Sequence, residues 1–251
     1  MRCIILALVG TLFAPATVHA QKFDVVSVKP SSLQGASQRS MQNLPGGRIR
    51  FIGVPLSFLI MPAYQVWDFQ ISGGPGWIHT EPWDILAEAE GVQGFLTIDQ
   101  ERPMLRALME DRFQLKVHKE TKPLPGYALV VDKNGPKLQR STEANLSIQN
   151  GKGSLIAKKE GMLWLVGSLS QKLGCVVTDN TGLTGEFDFS LKWSPDPAEN
   201  SGVPVTPTSI VDGDGPSIFT ALTEQLGLRL VSQRVPAGVI VIDSVQQPSA
   251  N

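Results

Sequence analysis

Two short runs hold the residue types that could do metal or acid–base chemistry: His79-Thr80-Glu81 and His118-Lys119-Glu120. On an extended strand the first and third residues of each run leave the same face. Two such pairs, brought together, would offer the nitrogen and carboxylate ligands that zinc or iron accepts. His79, Glu81, His118 and Glu120 are therefore the candidate metal ligands. A plainer reading is available for the second run. Glu120 stands between Lys119 and Lys122, so a solvated strand end with a His118–Glu120 ion pair accounts for it.

A third stretch, "DNTGLTGEFDFSLKW" from Asp179 to Trp193, packs glycines, threonines and acids before an alternating apolar run. It is not the Asp-Thr-Gly of an aspartic peptidase, because one residue too many separates acid and glycine. Asp179 and Thr181 can bond nearby main-chain groups, as Thr184 can, and Gly182 and Gly185 can take positive φ. The stretch reads as a fold-making turn. No G-x-S-x-G elbow, Ser-x-x-Lys in supporting context or phosphate-binding glycine loop occurs. No cofactor is expected, and no catalytic residue is assigned. Trp77, beside the "GGPG" turn, and Arg112, near the end of a helical run, are candidates for lining a groove.

The elements that must position these residues come in a repeated order. In the second half, "MLWLVGSLSQKLG" has helical spacing and a glycine stop at Gly174. A short apolar run, the Asp179–Gly185 turn and the alternating Phe187, Phe189, Leu191, Trp193 follow. A helix opening at Pro216 and stopped by Gly227 comes next, then two strands, near Leu228 and at Val239–Ile242. In the first half, "VPLSFLIMPAY" reads as a helix that Pro62 bends or shortens. "QVWDFQIS" reads as a strand, "GGPGW" as a turn, and Trp83 to Ala89 as an alternating strand. A helix begins at "RPMLRALMEDRF", and "QLKVHKE" and "GYALVVD" read as two strands.

The local texts agree as well: "ALMEDRFQLKV" beside "ALTEQLGLRLV", and "GYALVVD" beside "GVIVID". The fold class is α+β, with helices packed on mainly antiparallel sheets. It is read as two diverged copies of a strand-helix-strand-strand-helix-strand-strand unit, residues 46–132 and 151–245. A strand and linker (21–45) precede the first copy, and a polar linker (133–150) joins the two. Copy two carries a mobile loop at 194–215, and a short tail occupies 246–251. Separate lobes and one shared sheet are both compatible with this pattern.

Residues 1–20 have an N-terminal Arg2, an apolar run and Val18-His19-Ala20, which is the pattern of a secretory signal peptide. The chain is expected to be secreted or periplasmic, with no transmembrane segment after cleavage. Cys3 leaves with the signal, and Cys175 within "LGCVV" reads as a buried, inert thiol. Loss of Arg2 from 22 basic residues leaves 21 against 23 acidic ones, a formal charge of −2. That balance gives no electrostatic case for nucleic acid or an anionic membrane.

Taken together, "FDVVSVKP", "GGPGW", "ALMEDRFQLKVHKET", "YALVVDKNGPKL", "VVTDNTGLTGEFDFSLKW" and "FTALTEQLGLRLVSQRVPAGVIVIDSVQQPSAN" resemble a secreted, soil-bacterium-associated family of unknown function abundant in acidobacteria. The resemblance implies export. It also implies kinship with domains attached to membrane metallopeptidases of the antibiotic-sensor type, hence a sensing or binding role, and it supplies no catalytic residues. The repeat unit is loosely similar to small αβ modules of secretin and receptor periplasmic regions. The first expectation is a non-enzymatic extracytoplasmic binding or interaction domain, for a protein, peptide or cell-wall ligand. The rivals are a secreted metal-dependent hydrolase using the His/Glu residues, and an envelope component self-associating through exposed sheet edges.

Overall fold

The structure, a computed structural model, describes residues 22–33, 39–196, 205–207 and 215–248. The expected signal peptide and most of the expected 194–215 loop lie outside the described residues. So do the last three residues of the tail.

The first half runs β1 (Val25–Pro30), β2 (Ser40–Leu44), β3 (Arg48–Val54), α1 (Leu56–Tyr64), β4 (Ile71–Gly73), α2 (Trp77–Thr80), β5 (Trp83–Glu88), α3 (Ile98–Phe113) and β6 (Lys116–Val131). The second half runs β7 (Gln139–Arg140), β8 (Ser147–Gly151), β9 (Ser154–Glu160), α4 (Met162–Leu173), β10 (Val176–Asp179), β11 (Phe187–Lys192), α5 (Ile218–Ala221) and β12 (Leu228–Ser244). This is an α+β architecture of three four-stranded sheets with helices packed against them. No described helix is long and apolar enough to cross a membrane.

Two antiparallel sheets sit at the ends, ordered β1-β5-β3-β2 and β7-β11-β9-β8. Period-two patterning builds them. In β5, Trp83, Ile85 and Ala87 are buried while Leu86 faces out, and in β3 Ile49 and Phe51 are buried between exposed Arg48 and Arg50. Full burial of a side chain the size of Phe51 contributes about 2–3 kcal/mol. Strands β7 and β8 fall largely within the stretch 133–150 that reads as plain linker in sequence.

Each end sheet has the same irregularity. The β3–β5 register shifts between Phe51 and Val54, where Gly53 has φ 62° and its N–H donates to Asp84 Oδ1 at 2.8 Å. The β11–β9 register shifts between Phe187 and Phe189, where Lys159 has φ 60° and its N–H donates to Asp188 Oδ1 at 3.0 Å. A bulge frees a backbone N–H, and a carboxylate on the neighbouring strand takes it.

The third sheet is central and ordered β10-β6-β12-β4. Here the sequence expectation of two closing strands in each half is corrected. "QLKVHKE" and "GYALVVD" belong to the single strand β6, and the run from Leu228 to Ile242 belongs to the single strand β12. The prolines that look like breaks, Pro123, Pro125 and Pro236, lie at the middle of an antiparallel ribbon in which Pro123 faces Pro236. There the ribbon is only two strands wide, so half of the backbone positions face away from a partner, and proline is tolerated at such edges. Strand β10 flanks β6 at Gly126–Leu129, and β4 flanks β12 at Ile240–Ile242, both parallel.

The ribbon joins two apolar cores. Ile240 and Ile242 of β12 pack with Phe51, Leu59, Leu105 and Phe113 in the first. Leu129 of β6 and Leu228 of β12 pack with Leu165, Phe189 and Leu222 in the second. The two halves thus share one sheet.

Several local boundaries also differ from expectation. Helix α3 begins at Ile98, not near Arg102, because Thr97 caps it. Its hydroxyl accepts from the Gln100 N–H, and Gln100 Oε1 accepts from the Thr97 N–H at 3.0 Å. Pro103 falls within the helix. "QVWDFQIS" forms a 3-10 turn at Asp68–Gln70 and only then the short β4, since Gln70 holds the Trp67 N–H at 3.0 Å and donates to Gly238 O at 2.7 Å. In α1, Pro62 removes only one intrahelical donor, and Gln65 closes the helix at φ 58°. Helix α5 is capped by Ser217 and ends in a π-helical turn, Leu222–Leu226, before Gly227.

Close approach explains Gly126. A Cβ there would strike Val176 O of β10. Gly126→Ala is expected to lower stability by about 1–3 kcal/mol, because the neighbouring strand must shift, read as a lower urea midpoint. Asp188 should act through pH. Hydrogen bonds from Ser141 and then the Lys159 N–H hold its carboxyl below 3.8. The carboxylate therefore stabilises the fold above 3.8 and loses that effect as pH falls through its lower folded value. Asp188→Ala should lower the urea midpoint at pH 7, with the gap from the parent narrowing at strongly acidic pH.

Candidate functional site

The four candidate metal ligands have separate local partners. His79 lies in the one-turn helix α2 rather than on a strand, and Glu81 is the extended cap residue just after it. The turn forms because Gly73 and Gly74, both at φ 77°, redirect the chain ahead of Pro75, and it buries Ile78 completely. His79 Nδ1 is 3.1 Å from Asp68 Oδ1, and Glu81 Oε2 accepts from Gln247 Nε2 at 2.6 Å. On β6, His118 Nδ1 is 2.8 Å from Asp243 Oδ1 of β12, its cross-strand neighbourhood. Glu120 Oε2 pairs with Lys122 Nζ at 2.9 Å and lies 4.0 Å from His118 Nε2. Among the described residues, no group of three or more His, Cys, Asp or Glu could hold a metal ion.

The Asp179–Gly185 turn is internally bonded. Asp179 Oδ1 accepts from the Thr181 N–H at 2.9 Å and from its hydroxyl at 2.7 Å, and Thr181 Oγ1 accepts from the Leu183 N–H at 3.1 Å. Gly182 and Gly185 stand at φ 70° and 99°. Trp77 stacks on Phe113 and meets Trp83 edge-on, each at 6.5 Å, so its ring covers the rim of the first core. Arg112 Nη2 donates to Val26 O at 3.1 Å, and its Nε is 3.3 Å from Asp111. With Gln114, Gln246 and Gln247 it lines a depression of about 370 Å³. Cys175 is buried, and that burial pushes its thiol from 9.0 up to about 11.

A different concavity collects more functional groups. An open groove of about 530 Å³ runs between the ends of α1 and α3 and the start of β6. Tyr64, Arg106, Glu110 and Gln114 line one side, and the consecutive residues Leu115–Lys119 line the other. Arg106 is fixed in place: its Nε donates to Ala63 O at 2.7 Å, a carbonyl left over at the end of α1, and its guanidinium lies 5.0 Å over the Tyr64 ring. Burial, then the nearby Glu110, raises the Tyr64 phenol above its ordinary value, against an opposing pull from Arg106. Sequence reasoning singled out His118 here but neither Arg106 nor Tyr64. Arg106 reads as one polar position on an amphipathic helix, and Tyr64 as a helix end. Their meeting depends on α1 packing beside α3.

Such a frame, two αβ cores sharing one central ribbon with an open polar groove at its edge, defines a small mixed α+β domain. Its family is shown by comparison. The chain belongs to the family described as "Protein of unknown function (DUF3738)", whose model matches residues 57–245. No curated protein and no solved structure matches it.

Removing the Asp179 bonds should cost about 1 kcal/mol. Asp179→Ala is expected to lower the unfolding free energy from urea titration by that much and leave ligand binding unchanged. Cys175 should resist thiol reagents at pH 8 until the chain unfolds. The unfolded thiol ionises near 9.0 and the folded one near 11, so stability should fall as pH rises across that interval, and Cys175→Ala should flatten the fall.

Proposed function

We propose that this protein is an exported, non-enzymatic binding module that works outside the cytoplasm, built from two diverged copies of one unit. The observation that carries the reading is the open groove of about 530 Å³, whose arginine is held rigidly by Ala63 and Tyr64. Recognition needs pre-positioned polar groups on a firm scaffold. The histidines required by the rival hydrolase reading are engaged in separate pairs, His79 with Asp68 and His118 with Asp243. Export is supported by the signal-like pattern of residues 1–20. Duplication is supported by the matching order of the two end sheets. It is supported more pointedly by the matching bulges, in which Asp84 and Asp188 each take the N–H of a positive-φ residue. The ligand class is a peptide, a protein segment or a cell-wall fragment.

A thermal-shift screen of the protein recovered after export tests the reading. The panel holds peptides, muropeptides, oligosaccharides, divalent metals and a chelator. A ligand that binds the native state at a hundred times its Kd stabilises by about 2.7 kcal/mol, a shift of several degrees. One peptide or glycan class is expected to give that shift, and Arg106→Gln should reduce it. A zinc or iron shift, reversed by chelator and lost in His118→Ala, would replace the binding reading with a metal enzyme.

A further inference from the structure

Strand β10 occupies the outer edge of β6 only at Gly126–Leu129. Among the described residues no strand pairs with that edge from Lys116 to Glu120. Residues Lys116–Lys119 of this edge form one wall of the groove. The fold itself shows that the ribbon accepts short flanking strands, since β10 has four residues and β4 three. Pro123 and Pro125 lie between the covered and uncovered stretches, and β10 does not reach past Gly126 because the chain before Val176 is the end of helix α4, Leu173, and its Gly174 cap.

Charge sets what fits. Arg106, Lys116 and Lys119 are among the residues lining the groove, and Glu110 is the carboxylate among them. The nearby acids have other partners: Glu120 is bound by Lys122, and Asp243 by His118. Facing is set by strand period. Val117 packs on the first core, which contains α3, and Lys119, two residues on and opposite the core residue Ile240, leaves the same helix-side face. We propose that Lys116–Glu120 of β6 binds an extended peptide as an added β-strand, with an acidic side chain of that peptide set against Arg106 and Lys119. Main-chain hydrogen bonds would give affinity and the acidic side chain specificity. At the usual rise per residue the stretch takes a peptide of about five residues. This inference rests on the binding-module reading and narrows its ligand to acidic extended peptides.

The test uses the exported full chain and three end-capped peptides of alternating valine and threonine, measured by fluorescence anisotropy. One has a central glutamate, one a central lysine, and the third is the glutamate peptide with alternate backbone nitrogens methylated. The glutamate peptide is expected to bind, with the other two weaker by about tenfold or more, roughly the worth of one lost charge-assisted contact. Lys119→Glu, an exposed change that should leave folding intact, is expected to weaken the glutamate peptide by a similar factor. Methylation without effect would overturn the added strand, and equal binding of the lysine peptide would overturn the acidic preference. Unchanged binding to Lys119→Glu would place the peptide elsewhere and overturn the site. If none of the peptides binds while a glycan shifts the melting temperature, the edge proposal fails and the binding module stands. A chelator-reversible metal shift without peptide binding removes both.

Discussion

The antiparallel pairing of β6 with β12, from Leu228 opposite Val131 to Ser244 opposite Lys116, is the constraint on which the molecule depends. Each strand leaves a helix in its own half and runs on into the other. The first core is completed by Ile240 and Ile242, which arrive from the far end of the chain. The second is completed by Leu129, which comes from the first half. Neither half closes its core alone, and the two are expected to unfold together. The pairing joins segments about a hundred residues apart, so the loop-closure entropy must be met before the contacts stabilise anything.

The ribbon also decides where the open groove lies. Its ends are covered on opposite edges by β10 and β4, and its middle is thinned by prolines. What is left open on β6 lies beside the ends of α1 and α3. There a leftover carbonyl, Ala63 O, and an aromatic ring, Tyr64, fix an arginine that would otherwise sample solvent. Local satisfaction elsewhere leaves that corner distinct. Asp68, Asp243 and Lys122 engage His79, His118 and Glu120 one by one, and Asp84 and Asp188 close the bulges. Shape and charge come together in the groove from elements that are remote in sequence.

Local signals in the sequence carried far where the interactions are local. Helix α4 runs from Met162 to Leu173 with Gly174 in the left-handed region, as spacing and the glycine stop predict. The alternations of β5 and β11 set their buried faces, and the Asp179–Gly185 turn is closed by its own side chains. Cys175 is buried, as its apolar setting indicates. A capping signal at Thr97 and Gln100 was present too, and would have placed the start of α3 correctly. The π-helical turn after α5 has no comparable sequence signal.

Composition and period, then, determined the α+β class, the main helices and the faces the strands bury, because those depend on side chains a few residues apart. Tertiary structure alone decided that two pairs of expected strands are two long ones. Proline breaks a strand only where its missing N–H was needed, and that depends on the neighbours a strand finds. Tertiary structure also decided that His79 and His118 pair with Asp68 and Asp243, and that Arg106 and Tyr64 meet Lys116 and Lys119 around one groove. Those partners come from different elements, brought together only by the packing of helices and the register of the ribbon.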